Sequence, residues 1–82
     1  MKFFDYQAKK VWIAEGNIFV ELQDGRQGKL PVHQFKRLAN AEPDELANFE
    51  VIDGYAISWP TLDEDLSIKG FFVKAGKEIS LT

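Results

Sequence analysis

Residues 54–72 read GYAISWPTLDEDLSIKGFF, and the rest of the chain is organised around this stretch. Tyr55, Ile57 and Trp59 alternate with smaller or polar residues, the period-2 pattern of a strand with one face on a core. Pro60 biases Trp59 toward extended backbone and ends that strand. Asp63, Glu64 and Asp65 follow as three consecutive acids, and then a second apolar cluster forms at Leu66, Ile68, Phe71 and Phe72. The stretch therefore reads as two core anchors flanking an acidic loop. After the loop, either Ser67 caps a short helical turn that carries Ile68, Phe71 and Phe72 over the sheet, or the chain continues as a strand.

Working back toward the N-terminus, Asp53-Gly54 is a hairpin turn that pairs Tyr55–Trp59 with an extended Phe49–Ile52. Pro43-Asp44-Glu45 opens a helix, because proline suits the first helical position and acids favour the positive end of the helix dipole. Leu46 and Phe49 form its apolar i, i+3 pair. From His33 to Asn40 the alternation stops, and Phe35 and Leu38 mark one stripe of a one- or two-turn helix.

Val11–Leu22 reads as a hairpin around Glu15-Gly16. Pairing Ala14 with Asn17 sets Ile13 opposite Ile18, Trp12 opposite Phe19, Val11 opposite Val20 and Lys10 opposite Glu21, so every pair is alike or of opposite charge. The aliphatic face belongs on the core. Trp12 and Phe19 are expected beneath the N-terminal Phe3, Phe4 and Tyr6, the alternative being an exposed docking patch. A three-residue loop Asp24–Arg26 returns the chain as a third strand, Gln27–Val32, with Val20 opposite Leu30 and Glu21 opposite Lys29. Pro31 cannot donate to a ladder, which places this strand at an edge. The tail from Ala75 to Thr82 either frays or adds an edge strand.

These elements make an α+β fold in a single domain, residues 1–82. It is a small, mainly antiparallel sheet of at least four strands, an N-terminal three-stranded meander plus a C-terminal hairpin, with short helices on one face. With 82 residues the chain supports one core, and 45% hydrophobic against 28% charged residues is the composition of a folded globular protein. It has no cysteine, hence no disulfide or thiolate site, and no apolar run long enough to span a bilayer. A soluble cytoplasmic protein is expected.

Charge is unevenly laid out. Residues 1–37 carry seven Lys/Arg and four Asp/Glu, residues 38–68 carry eight acids and no Lys or Arg, and the remainder returns the total to −3. If folding gathers the acids on one side, that side attracts basic partners and repels phosphate backbones.

The inventory offers little to catalysis. Asp63, Asp65 and Ser67 sit at positions 1, 3 and 5 of a calcium loop, but position 6 is Ile68 instead of glycine and position 12 is Lys74 instead of glutamate. His33 is the single histidine and lacks the companions a zinc site needs. No nucleophile elbow surrounds Ser58, Ser67 or Ser80, the six glycines are scattered, and Lys9-Lys10 and Lys36-Arg37 are isolated basic pairs. The expectation is a non-enzymatic protein with no cofactor and no metal. Its candidate partner-binding residues are Trp59, as an aromatic anchor if exposed, and Asp63, Glu64 and Asp65, as a landing site for Arg or Lys.

One resemblance covers most of the chain. Arg37-Leu38-Ala39-Asn40-Ala41, Pro43, Ala47-Asn48, Ile57, Trp59-Pro60 and Leu62-Asp63-Glu64-Asp65-Leu66-Ser67 together resemble the small bacterial proteins grouped as domain of unknown function 2442. The upstream Asp24-Gly25-Arg26 turn and Pro31 fit the same pattern. Ser58 stands where relatives often have histidine, and Phe49 where tryptophan is common. The resemblance implies an α+β domain often encoded beside another small protein in toxin–antitoxin-like pairs, and it supplies no catalytic residues. Some relatives carry a helix-turn-helix segment. None is read here, so direct nucleic-acid binding is not expected. The leading expectation is an interaction module that presents the acidic segment Glu42–Asp65 to a basic protein partner. The runner-up is a nucleic-acid-associated regulatory domain using Lys9, Lys10, Arg26, Lys36 and Arg37.

Overall fold

In the computed structural model, which describes residues 6–73, six strands and two short helices follow one another in chain order. Strands β1 (Ala8–Ala14), β2 (Asn17–Leu22) and β3 (Gln27–Pro31) form one antiparallel sheet in the order β1-β2-β3. Helices α1 (Lys36–Ala39) and α2 (Pro43–Ala47) come next. Strands β4 (Glu50–Ile52), β5 (Ala56–Trp59) and β6 (Glu64–Ser67) then form a second sheet, β4-β5-β6. The meander and the C-terminal hairpin are thus both present, in two three-stranded sheets instead of one continuous sheet. The expectations for Phe3, Phe4 and the tail 75–82 lie outside the described residues.

The first hairpin has the register that like-with-like pairing dictates: Ile13 faces Ile18, Trp12 faces Phe19, Val11 faces Val20 and Lys10 faces Glu21. Glu15 (φ 51°) and Gly16 (φ 77°) both take positive φ, the two-residue turn whose twist matches its flanking strands. A register shift between Ala8 and Lys10 leaves Lys9 as the extra residue of a bulge.

The second turn corrects the expected register by two residues. Ile18 faces Leu30, Phe19 faces Lys29 and Val20 faces Gly28. The loop has three residues, but they are Gln23–Gly25 rather than Asp24–Arg26. The Gly25 N–H donates to the Leu22 carbonyl, and the Leu22 N–H to the Arg26 carbonyl. A three-residue loop of this kind needs a left-handed residue in its last position, and Gly25, at φ 97°, occupies it. Moving the loop back by one residue slides the partner strand by two, so the same faces still meet. Gly28 now lies opposite Val20, on the core face, where a Cβ would come within 3.0 Å of the Phe71 carbonyl oxygen.

The expected helix after Pro31 divides into a 3₁₀ turn, Val32–Gln34, and α1, which buries Val32 and Leu38. In α2, Pro43 opens the first turn and the Glu42 N–H donates to Glu45 Oε1 at 2.9 Å, as a capping box requires.

The second sheet revises the acidic stretch. A 3₁₀ turn, Pro60–Leu62, ends at Asp63 in the left-handed region (φ 54°), so Glu64 and Asp65 already belong to β6, paired with Trp59 and Ser58. Asp63 closes the turn and Glu64 and Asp65 open a strand, so the three acids do not form one loop. Aspartate tolerates this conformation better than most residues, and it lets the chain reverse two residues earlier than a loop through Asp65 would. After β6 a 3₁₀ turn, Lys69–Phe71, starts from Ile68 with no side-chain cap, so Ser67 is a strand residue and not the cap.

Both sheets bury their inner faces in one core: Ile18, Val20 and Leu22 from β2, Ile57 and Trp59 from β5, with Val32, Leu38, Ile68 and Phe71. Each fully buried aliphatic side chain is worth about 1.5–3 kcal/mol of transfer free energy. A backbone seam joins the sheets where the Ala8 N–H donates to the Gly54 carbonyl (2.8 Å) and Gln7 Nε2 to the Asp53 carbonyl (3.3 Å).

Candidate functional site

The four residues singled out in the sequence take different positions. Trp59 is fully buried. Its indole N–H donates to the Leu46 carbonyl at 2.9 Å, filling an acceptor that the end of α2 leaves without an intrahelical partner, and its ring lies 5.9 Å from that of Phe49. Trp59 is therefore not a partner-binding residue, because a partner could touch it only by opening the core. Asp63 has a side chain 97% exposed. Arg37 Nη1 donates to its carbonyl and lies 3.5 Å from its Oδ2, tying α1 to the turn before β6. So exposed an ion pair contributes little stability.

Glu64 and Asp65 point to opposite faces of the sheet, as successive strand residues must. Glu64 pairs with Trp59 and Leu66 with Ile57, which puts the half-buried Glu64 on the core side at the sheet margin. Asp65 pairs with Ser58, which pairs in turn with Glu50. Glu50, Ser58 and Asp65 thus form one row across the outer face. The next row is Ile52, Ala56 and Ser67. This face holds two exposed carboxylates beside an isoleucine that is 45% exposed. Val51, on β4 at the margin of the sheet β4-β5-β6, and Tyr55, in the turn, complete the exposed large hydrophobics among the described residues. The fold gathers them in one hairpin. Sequence reasoning missed this face because it weighted the unbroken run Asp63–Asp65, whereas Glu50 and Asp65 are fifteen positions apart. The alternation on β4 and β6 was the available signal.

Other groups have quieter surroundings. Asp65 and Ser67 alternate along an extended strand, and among the described residues no His, Cys, Asp or Glu cluster could hold a metal ion. His33 is exposed in the 3₁₀ turn. Of the basic residues in the runner-up reading, Arg37 is engaged with Asp63 and Arg26 with Asp24 (2.9 Å), Arg26 also lying over the rings of Tyr6 and Phe72. The Arg26 backbone N–H, and after it the guanidinium, hold the Asp24 carboxyl below its ordinary value. Tyr6 packs beside Phe72 and so does not cover Trp12 and Phe19. Those two rings stack on the outer face of the first sheet, 4° from parallel with centroids 5.2 Å apart.

Comparison with known proteins places the chain among uncharacterised relatives. A family model described as "Protein of unknown function (DUF2442)" matches residues 8–76. A solved structure described as a protein of unknown function from Rhodospirillum rubrum ATCC 11170 is 31% identical, covers 84% of this chain and 93% of its own, and superposes with a TM-score of 0.69. No curated protein matches the chain.

Proposed function

The chain belongs to the DUF2442 family, and from that premise we propose that it is a non-enzymatic protein-interaction module, the antitoxin-like or regulatory half of a pair, with the outer face of the β4-β5-β6 sheet as its docking surface. The observation that carries this reading is that Glu50 and Asp65 share with Ile52 a face that is exposed among the described residues, with Tyr55 exposed in the adjoining turn. Exposed apolar side chains provide area to bury, and carboxylates beside them select a partner with Lys or Arg around an apolar centre. Among the described residues β4 has no strand on its outer edge, which leaves backbone groups on which an extended partner segment can add a strand. The partner class is a small basic protein, which agrees with the block of eight acids between residues 38 and 68.

The test is capture of a partner from the native cell, followed by affinity measurements with purified variants. Ile52→Lys and Asp65→Lys are expected to remain folded, because both positions are exposed, and to weaken binding by about tenfold or more, the equivalent of roughly 1.4 kcal/mol. Association should slow with added salt, and slow less in the Asp65 variant. Glu64→Gln, on the other side of the sheet, should leave binding unchanged. If both face variants bind the partner as tightly as the parent protein, the docking surface lies elsewhere.

A further inference from the structure

The outer face of the first sheet carries a second surface, independent of the one just described. Trp12 and Phe19 stand stacked across β1 and β2, with Lys10 Nζ 5.0 Å from the Trp12 ring centroid and Lys29 Nζ 5.8 Å from that of Phe19. The order across the face is lysine, tryptophan, phenylalanine, lysine. The ion pairs among the described residues are Arg26–Asp24 and Arg37–Asp63, so both ammonium groups rest on rings and neither is neutralised by a carboxylate. Glu21 lies opposite Lys10 in the ladder, yet the Lys10 head is over Trp12. Beside Phe19 a shallow groove of about 280 Å³ is lined by Gln27, Gly28 and Lys29.

We propose that this face binds single-stranded nucleic acid, one base entering the groove against Phe19 while Lys29 and Lys10 meet the flanking phosphates. A ligand that suits the face must offer a flat π surface and an anion a few ångströms away, repeated along its length. Single strands do so, since their bases are free to stack and their phosphates are regularly spaced. A duplex keeps its bases inside, and an acidic peptide supplies the anion without the ring. The Lys29 contact lies near the outer limit of cation–π attraction, so the ammonium can leave Phe19 for a phosphate as a base takes its place. Gln27 offers an amide to a base edge from the groove wall. The sequence argued against this reading because its lysines are scattered. Pairing Phe19 with both Trp12 and Lys29 is what assembles the face.

The experiment is a fluorescence titration of the whole chain with an oligothymidylate and an oligouridylate of about eight nucleotides, within the site size of one small binding fold. Trp59 is fully buried, so quenching by a stacked base reports on Trp12 and its neighbour. Saturable quenching is expected. The salt slope should be about −1.4 for two phosphates, a loss of roughly sevenfold between 50 and 200 mM salt. Lys29→Gln, at an exposed position, should weaken binding and reduce the slope by about 0.7. Phe19→Leu should weaken it further and Phe19→Tyr should restore it, which separates stacking from a simple loss of fold. Ile52→Lys should leave it unchanged, so this proposal and the protein-docking proposal fail separately. Absence of saturable quenching, equal affinity for a duplex of the same length, or equal competition by polyglutamate would each overturn the proposal.

Discussion

Replacing Trp59 tests whether the core is anchored as described. A buried indole withdraws some 150–250 Å² from water, which at about 25 cal/mol per Å² is about 4–6 kcal/mol as an upper estimate. Trp59 is 0% exposed and its N–H is paired with the Leu46 carbonyl, so Trp59→Ala removes area, a hydrogen bond and the neighbour of Phe49 together. Substitutions of this kind cost about 3–5 kcal/mol. For a domain of this size that lowers Tm by about 12 °C or more. Trp59→Phe separates the contributions: it keeps most of the packing and leaves the Leu46 carbonyl without its donor, a cost of about 1–3 kcal/mol. Urea denaturation followed by far-ultraviolet circular dichroism measures both. A loss below about 1 kcal/mol for Trp59→Ala would mean that the indole is not buried in solution, and would return Trp59 to the list of residues a partner can touch.

Two further outcomes follow from the N-terminal sheet. Gly28→Ala should destabilise by about 1–3 kcal/mol in the same assay, since its Cβ would meet the Phe71 backbone oxygen and the Phe72 ring at 3.0 Å; an unchanged midpoint would refute the register of β3. Asp24 titrates below its ordinary value of 3.8 in the folded chain, so its contribution is fully present above that value and is lost as pH falls through the lower folded value. The difference in stability between the parent protein and Asp24→Asn should therefore shrink as pH drops below about 4, and a difference independent of pH across that range would show that the Asp24 and Arg26 contact is not formed.

Side-chain alternation made the first hairpin legible to the residue, because every cross-strand pair from Ala14/Asn17 to Lys10/Glu21 agreed with one register. The β2-β3 register was not legible, because Gly25 served equally well in the middle of a loop or at its end, and only the left-handed requirement of the last position decides between them. The start of α2 at Pro43 was plain from residue type, with proline in the first position and acids in the first turn. The acids at 63–65 were misleading in a different way. Three carboxylates in succession suggest a solvated loop, yet the chain turns on Asp63 alone, and the pleat then divides Glu64 from Asp65. Both candidate surfaces depend on partners distant in the chain, Glu50 with Asp65 and Trp12 with Phe19 and Lys29, so each became visible only with the pairing of strands.

The seam between the sheets has a kinetic consequence. Each sheet is a meander closed by short turns, and its hairpins can form on a timescale of about 1–10 μs with little loop entropy to overcome. The Gln7–Asp53 contact joins residues 46 apart, and the Ala8–Gly54 bond beside it belongs to the same long-range closure. Folding is thus local within each half and non-local where the halves meet, along this seam and through the shared core, and docking of the two halves is expected to set the rate. Gly54 sits there at φ 76°, with a Cβ position only 2.5 Å from Gln7 Cγ. A side chain at that position would act on the rate of folding, while lesions at the β4 edge, peripheral to the docking event, would act on the rate of unfolding.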